Sequence, residues 1–366
     1  MKISNYTQGR ENNYNLIRII AALAVLITHS YALSIGTGEA EPFRKSLGMT
    51  MGSIAVDIFF ITSGFLVTAS ILSRQSAIEF MWARILRILP ALTVMLILTV
   101  FVLGIFFTSL NPLAYLADVS IYIYLAKGIS LLFNVSYNLP GVFEGNPYKY
   151  VVNGSLWSLP YEIKMYLMLV VVWISLKIVK GMRLKLFELS MVLAALSSGI
   201  FVLVHHSGEG HFSRLFFMFF SGASFYVLQK SITLSHIAFW VSLITLLIAA
   251  NLNEKTFFIV YTLTITYILF YIAYIPAGFI RQYNQLGDYS YGVYIYAFPV
   301  QQSIAALIPG VSVLVMILIS AIITLILSIF SWHLIEKPAL KHKNLYIGHT
   351  RKIVNFGQAL YRNKQY

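Results

Sequence analysis

Arg18 and His29 lie eleven residues apart in one apolar run of the chain. On a helix, eleven steps of about 100° bring the second side chain back to within about 20° of the first, about 16 Å further along the axis. A guanidinium and an imidazole therefore share one face at two depths. Arg84 and Arg87 form a second pair, spaced i and i+3 so that they too share a face. Asp57 and Glu162 stand a few residues inside two further apolar runs, at depths comparable to that of His29. Ionisable groups inside such runs are costly, and where they occur they face a bundle interior or a cavity.

These residue types suit group transfer. Arginine clusters suit phosphate, because the planar fork donates paired hydrogen bonds and stays charged. A histidine near its unperturbed pKa of about 6.5 can take a proton from a hydroxyl. A carboxylate can orient the ring and stabilise the imidazolium as it forms, and Asp57 and Glu162 both qualify. Each residue also has a plainer reading. Arg84 and Arg87 could be anchors at a membrane face, His29 a packed histidine, and Asp57 and Glu162 interhelical hydrogen-bond partners. His205, His206 and His211 fall in a loop with two glycines and Glu209, which reads as a solvated loop before a metal site. No metal is expected.

The elements that must position these groups are helices in a bilayer. Of the 366 residues, 58% are hydrophobic and 11% charged, against about 25% charged in an ordinary soluble domain. A bilayer accepts helices that are apolar on every side, and about 20 such residues cross it. Apolar runs occur at roughly 16–34, 50–73, 88–108, 156–178, 187–204, 213–229, 234–250, 256–275, 288–307 and 311–334. The expectation is an all-α polytopic membrane protein with about ten transmembrane helices. Residues 113–133 are interrupted by Asp118 and Lys127 and read as a re-entrant or interfacial segment. About fifteen polar residues precede the first run, which itself carries Arg18, so a cleaved signal peptide is not expected.

There are no cysteines, which excludes disulfides, thiolate metal sites and cysteine nucleophiles. The formal net charge is +13. Its basic residues sit at the ends of apolar runs, as the positive-inside rule expects, so nucleic acid is not the expected partner. Alternate connections are rich in Lys and Arg, from Lys2 and Arg10, through Lys177, Lys180, Arg183 and Lys185, to Lys337, Lys341 and Lys343. Both termini should then be cytoplasmic, with residues 1–340 as the membrane domain and 341–366 as a basic cytoplasmic tail. Arg18, Arg84 and Arg87 make an inner layer; His29, Asp57 and Glu162 make an outer one.

The same residues carry a family resemblance. The matching stretches are Asn15-Leu-Ile-Arg18-Ile-Ile-Ala-Ala through His29, Val56-Asp57-Ile-Phe-Phe-Ile-Thr-Ser-Gly-Phe65 and Arg84-Ile-Leu-Arg87-Ile-Leu-Pro90. They continue with Asn153-Gly-Ser-Leu-Trp-Ser-Leu-Pro-Tyr-Glu162, Gly287-Asp-Tyr-Ser-Tyr-Gly292 and Glu336-Lys-Pro338. In order and spacing the chain resembles the acyltransferase-3 family of bacterial membrane O-acyltransferases, over residues 13–340. The resemblance implies an acyl-CoA donor, most commonly acetyl-CoA, and a cell-surface or lipid-linked glycan acceptor. It also implies residence in the bacterial inner membrane. Many relatives have a histidine before the proline of a Tyr-x-x-His-x-Pro stretch; this chain has Tyr296-Ala297-Phe298-Pro299, which places more weight on His29. The rival reading is a glycolipid or polysaccharide flippase, which would more typically show broken helices and repeat halves. Neither is visible in the sequence.

The expected mechanism places the phosphates of acyl-CoA on Arg18, Arg84 and Arg87, and the thioester near His29. His29 deprotonates the acceptor hydroxyl, with Asp57 or Glu162 orienting it. Oligomeric state and the identity of the glycan are not legible. Arg84→Lys keeps the charge but loses the fork. A hydrogen bond between charged groups contributes about 1.5–3 kcal/mol, so CoA should bind roughly tenfold more weakly or worse in a titration of the purified protein. An unchanged dissociation constant would return Arg84 to the role of anchor.

Overall fold

The computed structural model describes residues 2–7, 9, 11–179, 181–205 and 211–363. Arg10, Lys180, His206 and Glu209 lie outside them. The described residues form an all-helical bundle whose extended pairings are isolated bridges. In chain order the main helices are α1 (Tyr14–Ile35), α2 (Met51–Arg74), α3 (Ala77–Leu98), α4 (Val119–Ser130), α5 (Leu159–Ser175) and α6 (Arg183–His205). They continue with α7 (His211–Val227), α8 (His236–Ala250), α9 (Glu254–Tyr274), α10 (Ser290–Leu307), α11 (Val313–Ser331) and α12 (Lys343–Asn363).

Seven helices among the described residues are long and apolar enough to cross a membrane. The ten apolar runs all become helical, and α5 reaches spanning length with the 3-10 turns at its two ends, Gly154–Ile178, but α7 and α8 have 17 and 15 residues and α10 has 18. The expected count of about ten spans therefore stands at seven by length and composition. α10 falls short for a chemical reason. It carries buried Ser290, Gln301 and Gln302, and its neighbours cover most of it. Segment 113–133 folds as two short helices broken at Asp118, which caps α4 by accepting a hydrogen bond from the Ser120 N–H at 2.8 Å. At 12 residues, α4 is too short to span.

α1 is wedged between α2, α10 and α11. α2 opens with a reciprocal cap in which Thr50 Oγ1 accepts from the Ser53 N–H and Ser53 Oγ accepts from the Thr50 N–H. That fixes where Asp57 enters the bundle. α2 then packs most extensively on α7. The two backbones approach closely at Gly64 and Gly222. A Cβ at Gly64 would lie 1.9 Å from the Phe219 carbonyl oxygen, and one at Gly222 would lie 2.0 Å from that of Ile61. Small residues permit such approach where lipid supplies no hydrophobic drive for helices to associate.

Prolines reshape two helices near the site. Pro299 has no N–H, so the Ile295 carbonyl loses its helical donor. Asn153 Nδ2 donates to that carbonyl at 2.9 Å, tying the Asn153–Glu162 stretch to α10. After α11 the chain makes a π-helical turn, Trp332–Glu336, just before Pro338. Such wide turns mark places where the regular ladder is broken, often at functional sites. Residues 343–363, part of the segment read as a tail, form α12, which docks on α3. Trp82 Nε1 donates to Thr350 Oγ1 at 2.8 Å, and Trp82 stacks on Tyr346.

Gly64→Ala should force α2 from α7. Overpacking of this kind costs about 1–3 kcal/mol, so the detergent-solubilised variant should unfold at a clearly lower temperature. An unchanged Tm would show that the contact yields without cost.

Candidate functional site

Two cavities lie back to back along α1, both lined by Val56 and Tyr294. The inner one, about 390 Å³, brings Arg18, Arg84, Arg87 and Glu162 together. Arg18 comes from the first turns of α1, and Arg84 and Arg87 from one face of α3.

The arginines are held by carboxylates that sequence reasoning passed over. Arg18 Nη1 and Arg87 Nη2 both donate to Asp288 Oδ2, at 2.8 and 2.5 Å. Arg87 Nη1 donates to Glu336 Oε2 at 2.6 Å. Asp288 also accepts from the Ser290 hydroxyl at 2.5 Å, and Glu336 from the Ser331 hydroxyl at 3.1 Å. Burial alone would push the Asp288 carboxyl up, but the Arg18 and Arg87 guanidiniums overcome this and hold it at about 2. Arg87 lies between the rings of Trp332 and Tyr291, at 5.3 and 5.7 Å from their centroids. Arg84 differs from the other two. It makes no ion pair within 4 Å among the described residues, and its buried Nε has no hydrogen-bond partner there. Glu162 accepts from Ser63 Oγ at 3.1 Å and from the Tyr166 hydroxyl.

The outer cavity, about 410 Å³, is lined by His29, Glu41, Arg44, Trp157 and Arg214 among others. His29 Nδ1 lies 3.9 Å from Glu41 Oε1, and Arg44 Nη2 donates to the other oxygen of Glu41 at 2.6 Å. Burial raises the Glu41 carboxyl from its ordinary value, with Arg44 pulling it back. The His29 ring meets Phe298 edge-on, with centroids 5.2 Å apart. Phe298 thus fills the space beside His29.

Neither carboxylate expected to orient His29 is its ion-pair partner. Asp57 is fully buried, accepts from the Tyr261 hydroxyl at 2.9 Å, and lies 3.3 Å from Arg214 Nε. Glu162 belongs to the inner cavity with Arg84. Sequence depth placed both beside His29, but depth says nothing about which way a side chain turns around its helix. Glu41 supplies the carboxylate from a loop whose apparent role was only connection. Of the missed residues, Arg214 was detectable as an ionisable group in an apolar run. Asp288 and Glu336 were visible as the acidic members of two quoted motifs. His205 and His211 are exposed, and among the described residues no group of three or more His, Asp or Glu could hold a metal.

This geometry coincides with a family match. A model described as an acyltransferase domain matches residues 11–333. The chain belongs to the acyltransferase-3 family. It is a membrane-embedded transferase of acyl groups. It is 32% identical over 347 residues to an O-acetyl transferase of Shigella phage Sf6, covering 90% of this chain and 96% of the relative. It is 25% identical over 370 residues to nodulation protein 10 of Rhizobium leguminosarum bv. viciae, covering 92% and 95%. No solved structure matches the chain.

The Arg18–Asp288–Arg87 junction carries a testable consequence. Removing one partner of a buried ion pair costs about 3–5 kcal/mol, so Asp288→Asn should markedly lower Tm at pH 7. Asp288 has a depressed pKa, so its contribution is complete above the unfolded value of about 3.9 and fades as pH falls toward 2. The Tm gap between the variant and the parent should hold from pH 7 to 5 and narrow below 4. A gap that widens on acidification would contradict the assignment.

Proposed function

We propose that this acyltransferase moves an acetyl group from cytoplasmic acetyl-CoA to a sugar hydroxyl of a cell-surface or lipid-linked glycan. The observation that carries the proposal is the pair of adjoining cavities, one lined by arginines and the other by a histidine with a carboxylate beside it. The name of the phage relative, an O-acetyl transferase, supports acetyl as the group and oxygen as the acceptor atom.

With both termini cytoplasmic in the bacterial inner membrane, the inner cavity faces the cytosol. Arg84, with no acidic partner within 4 Å among the described residues, is the natural first contact for CoA phosphate. Arg18 and Arg87, fixed in place by Asp288 and Glu336, extend the positive surface. Arg74 and Lys343 line the same cavity and add two further cations. The pantetheine arm runs past Val56 and Tyr294 and brings the thioester to His29. The acceptor enters the outer cavity, where Trp157 offers an aromatic face to a sugar ring. His29 takes the hydroxyl proton as the oxygen attacks the thioester carbon. Glu41 is the carboxylate placed to steady the imidazolium, which moves that role away from Asp57 and Glu162. Glu162 remains a site residue through its place beside Arg84.

The test is to incubate the purified protein with labelled acetyl-CoA and candidate glycans. Acetylated glycan is expected, whereas movement of glycan without acetylation would favour a transporter. Loss of a positioned general base costs about 10²–10⁴-fold in rate. His29→Ala should therefore insert and unfold normally yet transfer acetyl at that reduced rate. Transfer at the parental rate would remove His29 from the mechanism.

A further inference from the structure

Arg214 lines the outer cavity from α7, an element to which no role has yet been assigned. The residue is only 5% exposed. Its Nε and Nη2 have no hydrogen-bond partner among the described residues. Asp57 Oδ1 lies 3.3 Å from Nε, close enough to balance the charge but not aligned as a hydrogen bond. Asp57 is itself steadied by the Tyr261 hydroxyl on its other oxygen. The pair is therefore neutral as a unit, anchored from behind, and left with donors to spare. Buried ion pairs of this kind add little to stability compared with apolar residues of the same volume, so stability does not account for it. A guanidinium with unmet donors on the wall of a cavity that also holds His29 calls for an oxygen acceptor. Because Asp57 already cancels the charge, that acceptor is better met by an oxygen that becomes negative during reaction than by a permanent anion.

We propose that Arg214 is a catalytic residue that donates to the thioester carbonyl oxygen and holds the negative charge this oxygen acquires. The proposal rests on the acyl-transfer reading above. The acceptor oxygen adds to the carbonyl carbon while its proton passes to His29. The carbonyl π pair moves to oxygen and stays there as an oxyanion, to which the Arg214 N–H groups donate. When that pair collapses back, the carbon–sulfur bond breaks and the thiolate takes the proton from the His29 imidazolium. The products are the ester and the free CoA thiol. Asp57 acts through Arg214 as a positioning residue.

The experiment uses the full chain in lipid nanodiscs, with labelled acetyl-CoA and an acceptor glycan on which the parent is active. Removing one oxyanion donor costs about 10²–10³-fold in kcat. That loss is expected for Arg214→Gln, with KM for both substrates within a few-fold of the parent. The double variant Asp57→Asn/Arg214→Gln relieves the stranded carboxylate. It should regain thermal stability without regaining kcat. Recovery of parental kcat in the double variant would overturn the proposal, since Arg214 would then serve only to neutralise Asp57. So would parental kcat in Arg214→Gln, or a loss confined to the acceptor's KM, which would mark a site for an anionic acceptor group. A parent that turns over no acetyl-CoA with any glycan would instead defeat the acyl-transfer reading itself, and the parent reaction shows this before any variant is made.

Discussion

Asp288 accepts hydrogen bonds from two guanidiniums that belong to different helices, and this junction sets the form of the inner half of the molecule. A bilayer-embedded arginine must find a counter-charge or a water-filled cavity, because lipid offers it neither. Arg18 on α1 and Arg87 on α3 find the same carboxylate, so α1, α3 and the start of α10 are held to one point. Glu336, turned inward at the π-helical turn after α11, fastens Arg87 from the other side. Arg18 and Arg87, fixed by this junction, line the inner cavity together with Arg84 and Glu162.

The outer half follows the same rule with a different inventory. Asp57 and Arg214 balance each other between α2 and α7, where Gly64 and Gly222 let the backbones close. Glu41 and Arg44 balance each other in the loop above His29. Each cavity thus has its cations largely matched, and the unmatched donors are the informative ones. In the inner cavity they belong to Arg84, and in the outer one to Arg44 and, with two donors, to Arg214. Each cavity thus keeps buried guanidinium donors unmet among the described residues, where an oxygen acceptor would complete them.

Tyr294 and Val56 join the two halves. Tyr294 is held in place by its hydroxyl, which donates to the Ser155 carbonyl at 2.6 Å and lies 2.7 Å from the Ser158 hydroxyl. Asn153, from the same stretch, reaches the carbonyl that Pro299 leaves free. The motif before Glu162 is therefore structural as much as chemical: it seats α5 against α10 at the level where the cavities meet.

Composition and periodicity by themselves determined that this chain is a bundle of membrane helices, because only a bilayer can solvate so much apolar surface. They also placed Arg18 beneath His29 on one face of α1 and Arg84 beside Arg87, since helical geometry converts spacing directly into direction. Only the tertiary structure decided the partners. It paired His29 with Glu41, Asp57 with Arg214, and Arg18 and Arg87 with Asp288 and Glu336. These contacts join residues on different helices and loops, in most cases more than a hundred positions apart. Which carboxylate meets which cation depends on how each helix is rotated against its neighbours, and one helix's spacing holds no record of that rotation.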